Sequence, residues 1–126
     1  MTKKAIKTDR APAAIGPYSQ AVVSGRLLFT SGQLPIDPAT GIITEGSIED
    51  KAHIVFKNLE AIASAAGTTL DSAVKTTVFL SDINDFQAVN QVYAHYFKEP
   101  YPARSAFQVA ALPLGAEIEV EAILEL

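Results

Sequence analysis

Ile48, Ala52, Val55, Phe56, Leu59, Ile62, Ala63 and Ala66 recur at steps of three and four residues. On a helix with 3.6 residues per turn they gather into one stripe. Ser47 stands before the run, Glu49 and Asp50 fall in its first turn, and Gly67 follows it. A helix capped by Ser47 and closed by a left-handed glycine is therefore predicted. A helix with a single apolar stripe has to lay it on something flat. Asp82 opens a second helix of the same kind, striped by Phe86, Val89, Val92, Tyr93, Tyr96 and Phe97 and stopped by Pro100 and Pro102.

The rest of the chain supplies the flat partner. Residues 74–80, VKTTVFL, are β-branched and aromatic, hence a strand. Residues 18–24 and 26–33 read as a hairpin hinged at Ser24-Gly25, and residues 3–8 as a short opening strand. Residues 34–43 hold two prolines and a glycine and are expected to form an irregular loop. Residues 102–109 and 117–126 are expected as a closing antiparallel pair, joined around Leu114-Gly115. The order of three strands, helix, strand, helix and two strands is that of an α+β fold. Two single-striped helices cover one face of such a sheet and not the other. The second face is expected to mix Thr, Phe, Ser, Arg and Glu, with Phe79 and Phe107 too apolar for water. Burial against further copies resolves this, so a closed homo-oligomer is expected.

A chain of 126 residues suits a single domain, 1–126, with one core and no need of staples. There is no cysteine, which removes disulfides, zinc knuckles and thiol nucleophiles together. The net charge of −4 argues against a broad nucleic-acid surface. The opening MTKKAIKTDRAP has lysines but no apolar run after them, so a secretory signal is not expected. No stretch reaches membrane-spanning length; a cytoplasmic location without membrane contact is the expectation. His53 and His95 lie far apart in sequence, without partners at ligand spacing, and read as surface or packing side chains rather than a metal site.

Charge in the last two strands is the unusual feature. Period-two alternation puts Arg104, Ala106 and Gln108 on one face of PARSAFQV, and Ser105, Phe107 and Val109 on the other. In EIEVEAILEL, Glu117, Glu119 and Glu121 share a face that Ile123 continues, opposite Ile118, Val120, Ala122, Leu124 and Leu126. A guanidinium near such a row makes either a structural ion pair or a fork for a substrate carboxylate, with one Glu left to handle water.

Four segments, APAAIGPYSQAV (11–22), FTSGQLPIDPATG (29–41), VFLSDINDFQAVNQVY (78–93) and PARSAFQVAALPLGAEIEVEAI (102–123), resemble the Rid proteins, the RidA or YjgF-type imine deaminases. The resemblance covers nearly the whole chain. It implies a chorismate-mutase-like α+β fold and a homotrimer with active sites between subunits. It also implies cofactor- and metal-free hydrolysis of 2-imino acids to 2-keto acids and ammonia. Such imines, with their enamine tautomers, are released by pyridoxal-phosphate enzymes such as threonine or serine dehydratases. By the same resemblance Arg104 binds the substrate carboxylate, Glu119 orients the attacking water, and Tyr18, Ser31, Gly32 and Asn90 line the pocket. Read from residue type alone, Asn90 is equally a satisfied structural amide, Ser31 a turn cap and Tyr18 an interface side chain. Ala106 stands where many members have cysteine, which argues against a thiol role here. YFKEPYPARS is shorter than in some relatives.

The chemistry suits these groups. A guanidinium gives a carboxylate two parallel donors, which lysine does not. A protonated imine is already electrophilic, so water held by a carboxylate attacks it without a nucleophilic side chain. Desolvation would raise the pKa of Glu119 and a nearby Arg104 would lower it. Two other readings stand beside the enzyme. One is an endoribonuclease or translation inhibitor, weakened by the acidic charge and the lack of a His–His or His–Lys pair. The other is a regulatory trimer that senses a small molecule without turning it over.

Overall fold

The computed structural model describes residues 2–126. Six strands, β1 (Lys4–Ile6), β2 (Ala21–Ser24), β3 (Leu27–Thr30), β4 (Ala73–Leu80), β5 (Ala103–Gln108) and β6 (Ile118–Glu125), form one mixed sheet in the order β1-β2-β3-β6-β4-β5. Two helices, α1 (Ile48–Ala65) and α2 (Phe86–Tyr96), pack together on one side of it. The α+β architecture and the hairpin are as the sequence predicts. Ser47 caps α1 with a full capping box, its hydroxyl accepting from the Asp50 amide while the Asp50 carboxylate accepts from the Ser47 amide. Gly67 has φ +86, the left-handed conformation that ends the helix. Asp82 caps a single 3-10 turn, Ile83–Asp85, before α2 begins.

The closing antiparallel pair is not formed. β4 lies between β5 and β6, parallel to β5 and antiparallel to β6. The reason is the connection. The α2 crossover returns the chain beside β4 in the same direction, and a helical crossover is what a parallel neighbour requires. The link from β5 to β6 then runs past β4 through a turn, Pro113–Gly115, where Leu114 has φ 58.

The core lies between the helices and one sheet face. Ile118, Val120, Ala122 and Leu124 of β6 and Val78 and Leu80 of β4 are buried against Val55, Phe56, Leu59 and Ile62 of α1 and Val89 and Val92 of α2. Asn58 is buried within α1 and donates to the carbonyls of Leu34 (3.4 Å) and Ile36 (2.9 Å). This ties the irregular loop onto the helix.

Among the described residues no helix covers the second sheet face. Register places Phe79, Phe107 and Glu119 in one row and Thr77, Ser105 and Glu121 in the next. The Phe79 and Phe107 rings meet edge to face at 5.3 Å, and Phe107 and Phe29 stay exposed. Arg104 is not on this face, contrary to expectation: it aligns with buried Thr76, on the side of the helices. No helix among the described residues is long and apolar enough to cross a membrane.

Candidate functional site

β5 is an edge strand, and α2 passes beside it. Phe86, Asn90 and Tyr93 recur at four and three residues along α2, so they face one way. Arg104 reaches into that stripe. Its Nη1 donates to Asn90 Oδ1 at 2.7 Å, and its guanidinium carbon lies 4.7 Å from the Tyr93 ring centre and 5.1 Å from that of Phe86. Tyr93 is in turn held by a 2.8 Å hydrogen bond between its hydroxyl and that of buried Thr76. Burial pushes the Tyr93 phenol above its ordinary pKa, against the opposing effects of the Thr76 bond and the Arg104 charge. Arg104, Asn90, Tyr93, Ala94, Tyr101 and Pro102 line an open hollow of about 460 Å³. Among the described residues no carboxylate pairs with Arg104, so the ion-pair reading of this arginine fails within the chain.

Glu119 belongs to a different place. It stands on the uncovered sheet face, half-buried, with no hydrogen bond or ion pair among the described residues. Desolvation by burial raises its pKa, and the charge of Glu121, two residues along the same face, adds to the rise. Residues 31–33 run beside it because Gln33 and Val120 exchange both backbone hydrogen bonds, at 2.8 and 3.1 Å. Gly32 lies against the Glu119 side chain so closely that a Cβ there would fall 2.5 Å from Oε2. Ser31 is spoken for by backbone: its amide donates to Gln20 O at 2.9 Å and its hydroxyl to Ser19 O at 2.5 Å. Those bonds bring the 18–20 segment, with exposed Tyr18, to the same neighbourhood. Buried Gln20 fixes that segment through its own bonds to Thr8, Ala11 and Pro12.

The residues singled out in the sequence thus separate into two groups. Arg104 and Asn90 sit on the helix side at the sheet edge; Gly32 and Glu119 meet on the other side, with Ser31 next to Gly32 in the chain and Tyr18 on the segment that Ser31 bonds. The sheet stands between them. Arg104 and Glu119 are not neighbours within one chain, because β4 separates their strands and their side chains leave opposite faces. Glu117 is not part of the carboxylate row either. It precedes β6 and pairs with Lys51 of α1.

Ala106 follows Arg104 on its side of β5 and lines a second hollow with Phe86 and Gln87. Phe86 and Tyr93 were legible only as core stripe, and Thr76 not at all. The signal lay in the spacing, since an asparagine between two aromatics at helical steps marks one face. His53 and His95, far apart in sequence, have ring centres 6.0 Å apart, because α1 and α2 pack side by side; His53 Nδ1 also bonds the Tyr96 hydroxyl at 2.8 Å. Among the described residues no three His, Cys, Asp or Glu side chains converge as a metal site would require.

Comparison with known proteins agrees with the motifs. The family model described as Endoribonuclease L-PSP matches residues 8–126. The human 2-iminobutanoate/2-iminopropanoate deaminase is 49% identical over 98% of this chain and 90% of its own length. The RutC family protein y4sK of Sinorhizobium fredii is 54% identical over 96% of each chain. The solved structure of E. coli TdcF with bound serine superposes with a TM-score of 0.91 at 44% identity, covering 98% of both chains.

Proposed function

The chain belongs to the endoribonuclease L-PSP family, which takes in the Rid deaminases, and on that footing we propose that it hydrolyses 2-imino acids such as 2-iminobutanoate and 2-iminopropanoate to 2-keto acids and ammonia. The observation that carries this reading is the division of labour between the two groups. One offers a cation with free donors in a hollow and nothing to activate water. The other offers a carboxylate of raised pKa and no cation. Each lacks what the other has, so the complete site forms where the helix-side edge of one copy meets the uncovered face of another, in a homotrimer. The exposed Phe29 and Phe107 of that face are then covered by the same contact.

The reaction follows from those roles. Arg104 takes the substrate carboxylate through two parallel N–H donors, and this orients a molecule with little else to grip. Glu119 accepts a proton from water as the oxygen attacks the iminium carbon. The C–N bond breaks from the resulting tetrahedral carbinolamine after the nitrogen has gained a proton. Iminium acid and water become keto acid and ammonium, with atoms and charge conserved. The raised pKa of Glu119 brings it nearer to neutrality, where a general base is most effective. Serine bound to TdcF fits this reading as a small amino acid with the same carboxylate.

The test is a threonine dehydratase reaction followed by keto-acid and ammonia appearance. The protein is expected to accelerate both, and Arg104→Ala to remove the gain. Equal rates with wild type and Arg104→Ala would overturn the assignment. The endoribonuclease description of the family has no support in the charge, a net −4.

A further inference from the structure

Asn90 stands at an exposed position within α2 and takes no part in the core. Asparagine is a poorer helix former than alanine, glutamate, glutamine or lysine, so helix propensity does not account for it there. What it does make is the 2.7 Å bond to Arg104. A guanidinium only donates, so the amide is turned with its oxygen toward Arg104 and its NH2 group away. That bond takes one N–H of the guanidinium, and no carboxylate takes another among the described residues. The other side chains around Arg104 are uncharged as well: Phe86 and Tyr93 on α2, Thr76 in register with it on β4, and Tyr101 and Pro102 in the hollow. The cation is held by a neutral group and keeps its full charge.

We propose that Asn90 is a positioning residue for Arg104, a neutral acceptor that orients the guanidinium and leaves its charge to the carboxylate of the substrate. This rests on the reading of Arg104 as the carboxylate binder and adds how that same site is held ready. An aspartate in this place has the same shape and accepts the same bond, but it brings a charge. It pairs with Arg104 within the chain and repels an incoming carboxylate. An alanine leaves the guanidinium charged but loosely oriented. Orientation matters because, in the proposed reaction, water reaches the imine carbon from another copy. A turn of the bound acid about Arg104 carries that carbon out of line. Asn90 therefore acts through Arg104 and not by touching substrate.

Asn90→Asp and Asn90→Ala separate charge from orientation. Calorimetry on the assembled protein, with 2-oxobutanoate as the probe, reads the first; acceleration of a threonine dehydratase reaction reads the second. Asn90→Asp is expected to weaken 2-oxobutanoate about fivefold or more, the upper end for an exposed ion pair set against the ligand. Asn90→Ala is expected to bind it within about twofold of wild type, yet to lose about tenfold in acceleration. Its melting temperature should be unchanged or higher, because alanine is the better helix former. Both positions of the test are exposed, so both variants are expected to fold. Equal affinity of the two variants for 2-oxobutanoate would overturn the role, since charge at this place would then not matter or Asn90 would itself hold the ligand. Full acceleration by Asn90→Ala would overturn it too. Unchanged 2-oxobutanoate binding by Arg104→Ala, or none by wild type, would instead overturn the assignment of Arg104 as carboxylate binder. The two failures are thus distinct.

Discussion

A Cβ on Gly32 would meet Glu119 Oε2 at 2.5 Å, its Cδ at 2.7 Å and its Cγ at 2.9 Å. The glycine is there for space rather than for an unusual backbone angle. A flexible carboxylate moves aside at little energetic cost, so Gly32→Ala should disturb the position of Glu119 and little else. Turnover is expected to fall at least tenfold, about the cost of a misplaced reacting group. The unfolding free energy should shift by no more than about 0.5 kcal/mol; steady-state kinetics and thermal melts check the two halves. Glu121 raises the pKa of its neighbour Glu119 by like-charge repulsion. Removing that charge in Glu121→Gln lowers the pKa, so the base stays ionised to lower pH. The acid limb of the pH–rate profile should move toward lower pH; movement the other way would contradict the assignment of Glu119 as base. These two residues illustrate the limit of reading a sequence. Glu119 was legible as a carboxylate among three, but its half-buried state depends on what lies beside it.

At the level of elements, the helices were the most legible parts because each contains its own evidence. Stripe, cap and stop for α1 all lie within residues 47–67, and the Ser47–Asp50 capping box follows from local spacing alone. Strand neighbours are different. β5 and β6 are each recognisable by alternation, yet nothing within either one says that β4 runs between them. Their pairing is decided by the α2 crossover, and with it the face from which Arg104 points. Asn58 is a second case of a long-range tie. Midway along α1 it looks like a break in the apolar stripe, but its amide holds two loop carbonyls 22 and 24 residues away. Asn58→Ala should destabilise the protein by about 1–3 kcal/mol, the cost of buried polar groups left unpaired. Urea titration reads that loss, and the slope of the transition should be unchanged.

For the molecule as a whole, a site shared between copies has a signature that no single-chain site can have. Arg104→Ala and Glu119→Gln should each be inactive alone. Unfolded together in equal amounts and refolded, they should recover activity, since about a quarter of the interfaces would pair an intact Arg104 with an intact Glu119. No recovery would place both residues in one chain's site and remove the basis for reading the chain as half of an active centre.

The sequence by itself determined the two helices with their ends, the strand segments, the α+β class and the motifs that mark the family. These depend on residues close together in the chain, where propensity and periodicity act. Only the tertiary structure decided that Arg104 stands beside Asn90, Phe86 and Tyr93 on the helix side while Glu119 stands across the sheet beside Gly32. Strand order and facing are set by which distant segments bury each other, and that information is held in the packing of the whole chain rather than in any stretch of it.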